Sequence, residues 1–190
     1  MAKKIFAAVA LFLILSVGAS AMDFSFGILY GFRGINNSKI RSIYGEGTVY
    51  FPFASVKIWK GLIIGAGYEG GYSLTGKIGL YYESSSLKVV GPEVFLSYEF
   101  DFNNFCPYLK AGFGYFSYKQ TIENPYVQDY KVDHSQGALA VAGGFKIYPI
   151  KSFYMAIEIK YIPLTVKPYE EKVDLSGFRY LGGVGFRFGL

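Results

Sequence analysis

The chain has 190 residues, including 18 Tyr, 18 Phe and 24 Gly, and only 17% are charged. That length suits one domain, the apolar mass excludes disorder, and a single Cys and a single His exclude a disulfide scaffold, a Cys-based zinc site and a His-rich metal centre. The net charge of +5 includes Lys3 and Lys4 of a removable segment, and what remains is too slight and dispersed to imply nucleic acid.

Residues 1–21 have the parts of a secretory signal peptide. Lys3 and Lys4 precede an apolar run over residues 5–15, and Ala19-Ser20-Ala21 offers a small-x-small cleavage site. The run falls short of the ~18–20 residues that span a bilayer. Met22 rather than Cys follows the cut, which argues against a lipoprotein. The expected organisation is a signal peptide over 1–21 and one β domain over 22–190.

From Asp23 onward the apolar period is two, the period of a strand. Phe24, Phe26, Ile28, Tyr30 and Phe32 open the series. A weaker strand lies near residues 50–58, phased by Ala54, Val56 and Ile58; Phe51 and Phe53 then fall on the other face, which implies a bulge. Leu62, Ile64, Ala66 and Tyr68 follow, then Val94, Leu96, Tyr98 and Phe100. The apolar positions become odd for Leu109, Ala111, Phe113 and Tyr115, for Leu139, Val141, Phe145 and Ile147, and for Met155, Ile157, Ile159 and Tyr161. Phe178, Tyr180, Val184, Phe186 and Phe188 close a count of eight strands. Ile78, Leu80 and Tyr82 continue the third strand's parity, so that strand is expected to overshoot rather than add two more.

The connections alternate in length. Residues 59–61, 101–106 and 148–152 are short turns; 34–48, 73–89, 117–136 and 162–176 are long and polar, and read as solvated loops. Short turns at one end and long loops at the other are what outer-membrane barrels show. An even strand count starting after the signal puts both termini on the periplasmic side.

Alternation alone does not say which face meets water, and three features decide it. The less apolar face carries Gly27, Gly31, Gly65, Gly67, Gly71, Gly112, Gly114, Gly183 and Gly185, which suits the narrow lumen of an eight-stranded barrel. The same face carries Arg33, Lys57, Glu69, Glu93, Glu99, Lys110, Lys146, Glu158, Lys160, Arg179 and Arg187. Strands with two charges (Glu93/Glu99, Glu158/Lys160, Arg179/Arg187) test the phase independently, and each keeps both on that side. Buried without partners these ions would cost several kcal/mol each, so pairing is expected. The opposite face is aliphatic in mid-strand and aromatic at the ends, as a bilayer and its interfaces require. The fold class is all-β, an eight-stranded antiparallel up-and-down transmembrane barrel.

In Pro107–Tyr115, Ala156–Tyr161 and Arg179–Phe188 the chain resembles the small outer-membrane barrels of the OmpA transmembrane domain and OmpX/Ail group. The resemblance implies location in the outer membrane of a Gram-negative-type bacterium, surrounding lipid, and recognition of the C-terminal strand by the barrel-assembly machinery. Such chains end in Phe or Trp; this one ends Phe188-Gly189-Leu190, with Leu190 keeping the apolar parity.

Asp133-His134-Ser135 invites a hydrolase reading, with Ser as nucleophile and His as base. The sixth strand's parity turns His134 inward and Ser135 outward, so the pair cannot meet, and His134 reads as a residue of the outer rim. The cluster Glu69, Glu93, Glu99, Lys110, Lys146, Glu158, Lys160, Arg179 and Arg187 reads as a structural ion-pair core rather than catalytic carboxylates. Gly65-Ala66-Gly67 and Gly112-Phe113-Gly114 lack the strand-to-helix context of a phosphate loop. The mixed-sign segment 167–174, with Glu170 and Glu171, reads as a solvated tip, and Cys106 as an idle thiol in a periplasmic turn.

No catalytic residue, cofactor or metal is expected. The favoured function is a monomeric envelope-integrity or surface-binding protein that meets an external ligand through its loops, as the OmpX/Ail resemblance implies. Passage of small or hydrophobic solutes and lipid-modifying catalysis are the alternatives. A lumen filled with Arg, Lys and Glu argues against a wide channel.

Overall fold

Eight alternating segments close on themselves. The computed structural model describes residues 23–71, 73–78, 82–123, 130–167 and 172–189. The expected signal peptide, Leu80, Glu170, Glu171 and Leu190 lie outside them. The elements are β1 (Asp23–Arg33), α1 (Ser38–Tyr44), β2 (Gly47–Trp59), β3 (Leu62–Gly71), β4 (Leu74–Ile78), β5 (Glu83–Glu99), β6 (Phe105–Glu123), β7 (Tyr130–Ile150), β8 (Phe153–Ile162), β9 (Thr165–Val166), β10 (Val173–Asp174) and β11 (Gly177–Gly189).

Each barrel strand pairs antiparallel with its neighbours in the order β3-β2-β1-β11-β8-β7-β6-β5, and β3–β5 pairing closes the ring. β4 follows β3 and pairs with the upper part of β5. It extends the third stave, so the barrel has the eight staves expected and not ten. Short turns gather at the end where Asp23 faces Gly189. Gly61 turns the chain there with φ +84°, a region glycine enters without steric cost.

Two expectations need correction. Phe51 and Phe53 need no bulge to explain them: both turn inward, and Phe51 is fully buried. Gly67 and Gly65 make the room, since a Cβ at Gly67 would strike the Phe51 ring and one at Gly65 the ring of Phe95. A register shift does occur, but lower, between Lys57 and Trp59.

The second correction concerns loops 73–89 and 117–136, which are largely strand. β5, β6 and β7 run to 17, 19 and 21 residues and pair as far as Ser84–Glu123 and Ile122–Tyr130. Inward Leu87, Val89, Phe116, Tyr118 and Val132 alternate there with outward Ser and Lys. The outward polarity hid strands that carry on above the aromatic belt.

Those upper strands help enclose an apolar cap. Ile35, Tyr44 of α1, Leu87, Phe116, Val132, Ile162, Leu164, Val166 of β9 and Leu175 are all buried in one cluster. Ile35 and Tyr44 of the connection 34–48 and Leu164, Val166 and Leu175 of the connection 162–176 therefore turn inward, which corrects the expectation of solvated loops at those residues. A second cluster, with Leu29, Phe51, Phe95, Tyr148, Tyr154 and Leu181, lies lower in the barrel.

Candidate functional site

The inward positions form a ladder of opposite charges. Arg33, Glu69, Glu93, Glu99, Lys110, Lys146, Glu158, Lys160 and Arg179 are all buried, none more than 7% exposed. In the upper layer Lys160 Nζ lies 3.0 Å from Glu69 Oε2 and 3.0 Å from Glu93 Oε2, and Arg179 Nε donates to Glu69 Oε1 at 3.2 Å. The Lys160–Glu69 contact is an ion pair without hydrogen-bond alignment, whereas Lys160–Glu93 has both. Arg33 has no carboxylate in ion-pair range among the described residues and donates through Nη1 to the Val89 carbonyl at 3.2 Å.

Below this layer, Lys110 Nζ donates to both oxygens of Glu158 at 2.6 Å, and Tyr108 Oη donates to Glu158 Oε2 at 2.8 Å. Lys146 pairs with Glu99. At the short-turn mouth Arg187 pairs with Asp23, both partly exposed, and Lys57 is half-buried. Aromatic rings line the cations: Lys160 Nζ lies 4.1 Å from the Phe51 centroid, and Lys110 Nζ 5.0 Å from those of Phe51 and Phe95. Such contacts add to the pairing when water is excluded.

This ladder fills the lumen at the level of Lys110 and Glu158, while the short-turn mouth around Asp23, Cys106, Tyr148 and Arg187 stays open. The cavity lined by Leu29, Phe53, Ser55, Tyr108, Lys110 and Glu158 has a volume of about 20 Å³, room for about one water. Above it the cap closes the other end. Gln120 joins cap to wall, donating through Nε2 to Tyr44 Oη at 2.7 Å and accepting at Oε1 from Tyr118 Oη at 2.5 Å. Tyr44 Oη and Ser85 Oγ are 2.6 Å apart. Burial, then the neighbouring Tyr44 hydroxyl, pushes the Tyr118 hydroxyl up to about 12.

The remaining candidates part company. His134 and Ser135 both lie within β7, opposite Tyr118 and Ser117 of β6. Successive strand residues face opposite ways, so no Ser–His pair forms; His134 belongs to a strand, not a loop. Cys106 is the second residue of β6 rather than part of a turn, is 3% exposed, and sits 3.9 Å from Asp101 Oδ1. A thiol so buried is poorly placed to bridge to another chain. Among the described residues no group of three His, Cys, Asp or Glu could hold a metal.

The outer wall bears Ile28, Ile64, Val94, Leu96, Ile157 and Ile159 at mid-height, each roughly half exposed. Phe24, Phe26, Phe100, Phe186 and Phe188 ring the short-turn end; Tyr30, Tyr50, Tyr68, Tyr115 and Tyr180 ring the other. Sequence reasoning missed Lys88, Lys119 and Lys131, which face outward on the upper β5, β6 and β7. The alternation of Leu87, Val89, Phe116 and Tyr118 was the signal that could have placed them on strands.

No family model matches the sequence, and no curated protein does. Solved structures are similar in fold. Neisserial surface protein A shares 14% identity, with 90% of this chain and 99% of that one covered at a TM-score of 0.59. Ail, the attachment invasion locus protein of Yersinia pestis, seen in complex with the heparin analogue sucrose octasulfate, shares 11%, with 89% and 99% covered at 0.56. A major outer membrane protein from Thermus thermophilus shares 13%, with 89% and 100% covered at 0.55. The chain has the fold of the small eight-stranded outer-membrane barrels, and its apolar belt is that of a membrane-spanning wall.

Proposed function

We propose that the chain is an integral outer-membrane protein without a wide pore, and that it works as a surface-binding protein through its projecting sheet rather than as an enzyme. The observation that carries this reading is the upper half of β7. Its pairing with β8 begins only at Val141, while its pairing with β6 continues to Tyr130. Residues 131–140 therefore present an edge with no hydrogen-bonded ladder partner on that side among the described residues, although the two-residue β9 packs near the strand there. Such an edge is a template for adding an extended segment of another protein. The filled lumen supports the same reading, because it leaves the outside as the place to act.

The test compares cells displaying the full chain with cells in which residues 117–136, which include most of that edge, are replaced by a tight turn. Adherence to a panel of immobilised extracellular proteins should fall with the replacement, while heat-modifiable migration of the barrel is kept. Adherence unaffected by the replacement would contradict the reading. So would stable porin-sized steps from the full chain in planar bilayers.

A further inference from the structure

Going up the outside of β5, β6 and β7, the chemistry changes in order. The outward positions on β6 run Phe113, Tyr115, Ser117, Lys119, Thr121; those on β5 run Val94, Pro92, Val90, Lys88, Ser86. Lys119 is four residues beyond Tyr115, about 13 Å along the strand and roughly 10 Å along the membrane normal for a wall tilted near 40°. The lysines thus share the lipid-facing side of the wall and stand just above its hydrocarbon belt, where a flexible ammonium stem reaches back to headgroup level.

Lys88 lies directly across the ladder from Lys119. Like charges in that position are destabilising in an exposed sheet. Lys119 has a carboxylate neighbour, Asp133 Oδ2 at 3.1 Å, with both side chains more than half exposed. Lys88 has none among the described residues. Lys131 and Lys77 are exposed on the same face, and among the described residues only Asp133 and Glu123 stand on it against the four lysines.

We propose that this face binds the phosphate of an anionic lipid headgroup in the outer leaflet, with Lys88 and Lys119 as its centre. The proposal rests on the outer-membrane reading given above. Charge complementarity names the group that relieves the Lys88–Lys119 repulsion. Continuity with the lipid-facing wall names its source, because a headgroup at that height already lies beside the lysines.

The experiment titrates the purified full-length protein with an acylated diglucosamine glycolipid, phosphorylated or dephosphorylated, and counts bound lipid by native mass spectrometry. Wild type should prefer the phosphorylated form. Lys88→Gln with Lys119→Gln should weaken that binding roughly 25-fold, about fivefold for each lysine, and leave the dephosphorylated form unchanged. Lys88→Arg with Lys119→Arg should retain it. In zwitterionic vesicles without the glycolipid, Lys88→Gln alone should leave the barrel as stable or more so.

Equal binding of the two glycolipids by wild type would overturn the proposal, a result that needs no variant to fold. So would equal weakening toward both lipids, or binding of soluble heparin with no preference between the glycolipids. A wild-type chain that forms no heat-modifiable barrel in any vesicle would instead sink the membrane reading and this proposal with it.

Discussion

The charged band and the cap above it are made by the same inward positions of the same strands. On β5, Glu93 belongs to the band and Val89 and Leu87 to the cap; on β6, Lys110 belongs to the band and Phe116 and Tyr118 to the cap. In the band, strands surround each ion on every side, so cations and carboxylates from opposite walls meet and satisfy one another. In the cap the described strands form no closed wall, and α1 with the paired β9 and β10 supplies apolar surface instead. The difference teaches that the barrel is sealed twice, by paired charge below and by apolar burial above. The two seals should fail in different ways.

The largest effect is expected in the band. Among the described residues Glu69→Leu leaves Arg179 with no carboxylate in ion-pair range and Lys160 with Glu93 alone. Breaking a buried pair by removing one partner costs about 3–5 kcal/mol. Reversible unfolding from lipid vesicles should show that loss as one global transition. A loss near zero would mean that the band is hydrated rather than sealed.

The cap should give a smaller and local effect. Phe116 is fully buried, and Phe116→Ala should cost about 3 kcal/mol in lost burial and cavity. Hydrogen exchange should quicken in α1, β9 and the upper parts of β6 and β7, while amides at the level of Glu93 and Lys160 stay protected. Equal quickening at both levels would merge cap and band into one unit.

The smallest effect sharpens the link between cap and wall. Tyr44→Phe removes the hydroxyl that meets Ser85 and Gln120 and should cost about 1 kcal/mol. Faster exchange confined to α1 and its neighbours would identify this contact as the clasp of the cap.

The staves and their phases were legible because two-charge strands such as Glu158/Lys160 and Arg179/Arg187 fix a period-two phase twice over. The ion-pair partners were not, since they come from opposite walls far apart in sequence. Arg179 meets Glu69, and Lys160 meets Glu69 and Glu93. The cap was hidden for another reason. Ile35, Leu164 and Leu175 stand singly in polar segments and show no period, so only the closed barrel reveals that they converge. α1 did leave a local trace: Asn37 Oδ1 accepts from the amides of Lys39 and Ile40, the side-chain cap of a helix start, and Gly45 follows its end. At seven residues the helix is too brief for a clear 3.6-residue period.

The central claim is that this wall faces hydrocarbon, and one strand tests it most directly. Ile157 and Ile159 are 52% and 49% exposed on the outside of β8, while Glu158 between them is 1% exposed within. Ile157→Arg should cost about 2–4 kcal/mol of folding stability in bilayers, the midplane penalty for a basic residue on a barrel's lipid face. Thr165→Lys, at an exposed position of β9 above the belt, should stay within about 0.5 kcal/mol of wild type. Reversible unfolding from lipid vesicles measures both. A large loss for Ile157→Arg beside a neutral Thr165→Lys is the expected result; small and equal effects would show that Ile157 is not in hydrocarbon and would contradict the account.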